Sequence, residues 1–188
     1  MHIVELQPDD AQSIQQAATL LVDGFKEDWP NAWPDLESAL REVQESFADD
    51  RISRIAIDDT GTVLGWIGGI KQYNGHVWEL HPLVVSPKFQ RQGIGRALVA
   101  DLEEQVRKRG GLTLWLGTDD ESHMTSLAGV NLYPNVWDHV AAIQNLRGHP
   151  CQFYQKLGFS IIGVLPDANG PGKPDIFMAK SVAKKDSK

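Results

Sequence analysis

Trp78–Gly111, WELHPLVVSPKFQRQGIGRALVADLEEQVRKRGG, is the segment around which the chain is organised. Its apolar opening predicts a strand over Val77–Val85, broken by Pro87. Gln90-Arg91-Gln92-Gly93-Ile94-Gly95 is a glycine-punctuated turn that runs straight into a helical pattern. Ile94, Leu98, Leu102, Gln105 and Val106 recur at spacings of three and four, so one stripe of that helix faces a core. Its first turn carries no acid, and Arg107, Lys108 and Arg109 fall in its last turn, where the helix dipole favours cations. Gly110-Gly111 ends it.

Strand, glycine turn and helix together build an anion site. The first amides of a helix have no partner within it and point beyond its N-terminus. Glycine at 93 and 95 removes the Cβ atoms that would hold a phosphate away. Arg91 and Arg96 add charge, so a diphosphate fits on physical grounds. A P-loop would need Lys and Ser/Thr after the last glycine, and a dinucleotide turn a third glycine at 98, which is leucine. What does match is V-x-P-x-x-Q-R-x-G-x-G, spelled Val85 to Gly95. It resembles the coenzyme A pyrophosphate loop of the Gcn5-related N-acetyltransferases. By that resemblance Leu83, Val84, Val85, Gln90, Arg91, Gln92, Gly93, Ile94, Gly95 and Arg96 hold acetyl-CoA.

The 188-residue chain is long enough for a core, and the expected organisation is one domain over 1–180 with a polar tail at 181–188. A net charge of −7 argues against nucleic acid and admits a cationic partner, or only keeps the protein soluble. No apolar run approaches the roughly 20 residues that cross a bilayer, and MHIVELQPDD does not read as a signal peptide. With a single cysteine, Cys151, no internal disulfide is available, and the cytoplasm is the expected compartment.

Elsewhere, strands are predicted at His2–Leu6, Arg51–Ile57, Thr62–Tyr73, Leu112–Thr118, Phe159–Leu165 and Asp175–Ala179. Helices are predicted from Asp10 to about Gly24, over Leu36–Phe47, Trp137–Leu146 and Pro150–Leu157. Phe25–Asp35, FKEDWPNAWPD, is a loop with two tryptophans, two prolines and three acids. Gly65, Gly68 and Gly69 inside a strand suggest a bend or bulge. Asp119–Val136 shows no clean periodicity. The fold class is α/β.

Acetyl transfer from a thioester to an amine needs a neutral amine, a polarised thioester oxygen, a proton for the leaving thiolate, and both substrates held together. Residues two apart in a strand share a face, so Glu79 and His81 point together beside the phosphate turn. Glu79 is the candidate base, through a water; the alternative is a solvated strand glutamate. His81 orients Glu79, orients the substrate, or packs. Pro82 interrupts the amide ladder, either as a plain irregularity or so as to free a donor among Leu83–Val85 for the thioester oxygen. Phe153-Tyr154-Gln155-Lys156-Leu157-Gly158-Phe159 resembles the family's F-Y-x-K-x-G-F motif, in which the tyrosine meets the sulfur, so Tyr154 is the implied acid. Cys151 lacks a His and acid placed to activate it. The histidines show no metal-ligand spacing, and no metal is expected.

W-E-L-H-P-L-V-V (78–85), L-G-T-D-D (116–120), I-Q-N-L-R (143–147), G-V-L-P-D-A-N-G (163–170) and K-P-D-I-F-M-A-K (173–180) together look like one subgroup, the aminoglycoside 6'-N-acetyltransferases. That resemblance implies a mixed sheet of about seven strands flanked by helices, with the fourth and fifth splayed for the cofactor. It implies Glu79 as base, Tyr154 as acid, Trp29 and Trp33 lining the drug site, Asp119 and Asp120 meeting drug ammonium groups, and a homodimer. An aminoglycoside is a polycation with hydrophilic rings, and the Asp119-Asp120-Glu121 cluster and the Trp29–Asp35 loop offer carboxylates and aromatic faces; a solvated turn is the plainer reading of the acids. Rival readings are a protein lysine or N-terminal acetyltransferase of the same fold and a non-catalytic acyl-CoA-binding sensor.

Overall fold

The computed structural model describes residues 1–183; the predicted polar tail lies outside the described residues from position 184 onward. The fold is mixed α/β with seven strands. The chain divides into two units, Met1–Leu114 with the segment from Val182, and Trp115–Ser181.

In the first unit β1 (His2–Glu5), β2 (Arg51–Ile57), β3 (Val63–Gln72) and β4 (Val77–Val85) lie side by side in that order, every neighbour antiparallel. The hairpin turn between β2 and β3 is fixed by Asp58, whose carboxylate accepts from the amides of Thr60 and Thr62. α1 (Ala11–Phe25) and α2 (Leu36–Glu45) cover one face, where Leu21, Ala39, Val43, Trp66 and Val84 form a core. Each is started by an aspartate: Asp10 accepts from the Ser13 amide at 3.0 Å and Asp35 from the Ser38 amide at 2.8 Å. The last acid of the tryptophan loop is thus a helix cap.

α3 (Ile94–Lys108) covers the other face and buries Ile94, Leu98, Val99, Leu102 and Val106. The apolar stripe is the predicted one, except that Val99 is buried and Gln105 only half-buried. Glycines let it come close. A Cβ on Gly65 would stand 3.0 Å from the Leu98 side chain, and one on Gly69 2.9 Å from Leu102.

Gly68 answers to the backbone instead. The β3–β4 register shifts between Ile67 and Gly69, whose partners are Leu83 and Leu80, so His81 and Pro82 together oppose Gly68. This is a β-bulge, at the place the glycines and Pro82 suggested. A Cβ on Gly68 would lie 2.2 Å from the His81 carbonyl oxygen, so no side chain fits there.

In the second unit β7 (Asp175–Ser181) lies between β5 (Thr113–Asp119) and β6 (Ser160–Leu165), antiparallel to β6. The short helices α4 (Val136–Ala141) and α5 (Cys151–Lys156) occupy the β5–β6 connection. The helix predicted over Trp137–Leu146 ends at Ala141, because the residues beyond it bond elsewhere. Ser126 N–H donates to the Gln144 carbonyl, Leu146 N–H to the Met124 carbonyl, and Thr125 and Asn145 form a bridge. Ser181, assigned to the tail from sequence, closes β7, and Val182 is buried.

Candidate active site

The turn before α3 is built by backbone conformation. Pro87–Phe89 makes one turn of 3-10 helix, Arg91 takes a φ of 61° and Gly93 a φ of 88°. Gly93 is the N-cap of α3, and no side chain caps that end. The Ala97 amide donates to the Gly93 carbonyl at 3.0 Å, so the amides of Ile94, Gly95 and Arg96 precede the first helical bond. Nothing lies within 4 Å of where a Gly93 Cβ would be. Arg91, Gln92 and Arg96 are exposed, and Gln90 is tied back by its side-chain amide to the Val85 carbonyl at 3.3 Å. Open space, amides ahead of the first helical bond, an acid-free first turn and two cations are what a diphosphate seat requires, and the pyrophosphate of coenzyme A fits those features.

Glu79 and His81 share the β4 face that looks toward α1 and α2. Glu79 pairs with Ile70, on the same strand face as Trp66, whose ring belongs to the core under those helices. Gln72 Nε2 donates to Glu79 Oε2 at 2.6 Å, fixing the half-buried carboxylate. His81 Nε2 stands 3.7 Å from Glu42 Oε1 of α2, and its ring centroid 5.9 Å from that of Trp33. Trp33 packs edge-on against Phe25 at 4.7 Å, and Phe25 lies 5.8 Å from Trp29. An aromatic chain therefore runs from the tryptophan loop to the strand that carries the candidate base. Beyond the bulge Leu83, Val84 and Val85 resume pairing with Ile67, Trp66 and Gly65, and Val84 now takes the face of Glu79.

Neither Gln72 nor Glu42 was singled out from sequence. Alternation along β3 could have placed Gln72 on the Glu79 face. Glu42 is one of three acids on α2, and nothing in the sequence marks it as the one that faces His81.

In the second unit Tyr154 sits on α5 with 9% of its surface exposed, its ring 5.0 Å from Phe153 and 5.6 Å from Phe159. Burial pushes its pKa well up, so the phenol keeps its proton at neutral pH. Cys151 is buried and its thiol pKa is raised, chiefly by burial, which leaves it a poor nucleophile.

The acid cluster divides. Asp119 is half-buried at the end of β5, and its Oδ1 accepts from Asn169 Nδ2. Glu121 Oε2 lies 3.5 Å from Lys173 Nζ. Asp120, expected to meet a drug ammonium, is only 1% exposed, and its two oxygens accept from the Met124 and Thr125 amides at 2.7 Å each. Its charge is committed to folding the loop. That corrects its expected role: a carboxylate buried on its own loop amides does not face a ligand.

Residues 18–133 match the family model described as Acetyltransferase (GNAT) family. Over 98% of this chain and 99% of the other, the fold is similar to a crystal structure of an aminoglycoside 6'-N-acetyltransferase complexed with coenzyme A, at 44% identity and a TM-score of 0.90. The aminoglycoside 6'-N-acetyltransferase from Enterococcus faecium is 43% identical with a TM-score of 0.87, over the same shares of the two chains. A curated relative, the [ribosomal protein bS18]-alanine N-acetyltransferase of Escherichia coli (strain K12), is 38% identical over 65 residues, 35% of this chain and 41% of the relative's length. This chain thus matches less than half the length of that curated relative. With its coenzyme-A-type turn and these likenesses, the chain belongs to the acetyltransferase (GNAT) family, the acetyl-CoA-dependent N-acetyltransferases.

Proposed function

We propose that residues 1–180 form one catalytic domain that moves acetyl from acetyl-CoA to the 6'-amine of aminoglycosides. The observation that carries this is the arrangement on β4: a carboxylate, Glu79, held by Gln72 on the face where His81 meets Trp33 of the acid-and-tryptophan loop. The 44% identity to a 6'-N-acetyltransferase supports the choice of acceptor.

Acetyl-CoA supplies an activated acetyl thioester. The amides opening α3, with Arg91 and Arg96, bind its diphosphate, and Leu83–Val85 carry the backbone donor for the thioester oxygen. Glu79, through a water, takes a proton from the acceptor ammonium and frees its lone pair. As the N–C bond forms and the C–S bond breaks, Tyr154 gives its proton to the sulfur, and the second proton shed by the new amide nitrogen restores the tyrosine. Trp29 and Trp33 cover sugar rings, and Asp119 meets an ammonium group. His81 orients the acceptor through Trp33, and Glu42 holds His81.

Antibiotic resistance is the biological consequence of this chemistry, and the cytoplasm, where acetyl-CoA is made, its place. Among the described residues no helix is long and apolar enough to cross a membrane. A homodimer is proposed as the working form. Within the second unit, exposed Trp137 of α4 and Ile162 and Leu165 of β6 support it, and sedimentation velocity measures it: a monomer throughout the micromolar range contradicts a dimer.

The acceptor is tested by incubating the protein and acetyl-CoA with a kanamycin-type drug and with an analogue bearing hydroxyl in place of the 6'-amine. Mass spectrometry and NMR should find one acetyl on the 6'-nitrogen and none on the analogue. Equal acetylation of the analogue rules the regiochemistry out. The match to a ribosomal-protein-alanine acetyltransferase favours a second reading, transfer to a protein N-terminus, which an alanine-starting peptide in the same assay detects.

A further inference from the structure

The second unit holds a buried histidine that the proposed chemistry leaves unused. His149 is 1% exposed. The Cys151 amide donates to its Nδ1 at 3.2 Å, and its Nε2 lies 3.1 Å from the Asp119 carbonyl oxygen. An amide can only donate and a carbonyl only accept, so the imidazole is neutral with its hydrogen on Nε2. Burial lowers its pKa, against the opposing pull of the Asp119 backbone and the Asp120 and Asp119 charges. The backbone of His149 is held too. Its amide donates to Asn145 Oδ1 at 2.9 Å, and its carbonyl accepts from Asn145 Nδ2 at 2.8 Å.

α5 needs such an anchor. A helix of six residues is too short to hold itself in water, so its position must be imposed by what it is tied to. Cys151 is its first residue, and Tyr154 follows by three, about one turn later. Asp119 ends β5. One imidazole thus joins the end of a sheet strand to the start of the helix that carries the phenol.

We infer that His149 is a positioning residue for the acetyl transfer: by binding the Asp119 carbonyl and the Cys151 amide together, it sets α5 and so aims the Tyr154 hydroxyl. This rests on the proposed role of Tyr154 as acid. A histidine that merely fills the core would be replaceable by an apolar ring of similar size. One that positions is replaceable only by a side chain that both donates and accepts across the same span.

The chain's one cysteine reports on the anchor, because it lies at the anchored end of α5. In the full-length protein, His149→Phe is expected to speed thiol labelling of Cys151 about tenfold and lower kcat about tenfold, with the acetyl-CoA KM within about twofold of wild type. His149→Gln, with one donor and one acceptor, should return both to within about threefold. Should the Phe variant fail to fold, His149→Asn, polar but too short to span both partners, is expected to show the same paired changes. Thiol protection and kcat both unchanged in Phe or Asn, or a Gln variant as defective as Asn, overturns the inference.

Tyr154→Phe separates this inference from the reading beneath it. It should lower kcat by about 100-fold with Cys151 still protected, and adding His149→Asn should lower kcat no further. A full second loss in the double variant means that His149 does not act through Tyr154. If Tyr154→Phe keeps wild-type kcat, the acid role fails and the inference falls with it, whereas a slowed Tyr154→Phe beside an unchanged His149→Asn overturns the inference alone.

Discussion

The turn that opens α3 and the segment from Asp119 to Pro150 both run largely outside regular structure, yet they are held in opposite ways. In the first, backbone conformation does the shaping: positive φ at Arg91 and Gly93 turns the amides of the helix start outward. In the second, polar side chains do it: buried Asp120 and His149 and half-buried Asn145 each bond main-chain groups of the segment or its flanks. The two kinds of loop suit different ends. A loop shaped by its backbone leaves its amides free for a ligand, whereas a loop shaped by side chains uses up its polar groups internally and serves as a frame. Chemical groups should therefore be lost from the first region at the expense of ligand binding, and from the second at the expense of stability or of the side chains that the frame positions.

The largest effect is expected beside the first region. Glu79→Gln keeps the size of the side chain and removes the base, so kcat at neutral pH should fall about 100-fold or more, with coenzyme A affinity by calorimetry unchanged. An undiminished rate would place the base elsewhere. Gly93→Ala forces a Cβ onto a φ of 88°, and should weaken acetyl-CoA binding about tenfold and lower stability by about 1–2 kcal/mol. Normal binding would show that the turn's conformation does not matter to the ligand.

In the second region Asp120→Asn puts an amide against one of two buried N–H donors. It should lower the melting midpoint by about 5–10 °C and leave the acetyl-CoA KM unchanged. A normal midpoint with a raised aminoglycoside KM would instead return Asp120 to the acceptor site. The smallest effect is that of pH on His149. Its pKa is lowered in the fold, so the unfolded chain binds its proton first as pH drops below 6.5. The contribution is intact above 6.5 and is lost as pH falls through the folded value. Chemical denaturation of wild type against His149→Gln should show this as an extra loss of stability on the acid side, present only in wild type.

The same contrast explains what could be read in advance. The glycine turn, the β4 strand and the α3 stripe are written in periodicity and in residues with special φ, and those signals are local. Even the bulge was legible, because Gly68 and Pro82 each break a strand rule at the place where the two strands meet. The helix expected to reach Leu146 was not, because Gln144, Asn145 and Leu146 bond to residues 124–126, about twenty positions away, and such pairings leave no period. Asp120 misled for a related reason. An acid at the end of a strand looks the same in sequence whether it meets a ligand or folds back onto its own loop amides. Glu42 and Gln72 were unmarked because their importance lies in what they face.

An NMR titration of the amide-labelled protein with coenzyme A bears most directly on the cofactor seat. The amides of Gly93, Ile94, Gly95 and Arg96 should show the largest shifts, and dephosphorylated pantetheine should leave them unmoved. Saturable coenzyme A binding that shifts other amides while those of residues 93–96 stay still would mean that the diphosphate is held elsewhere.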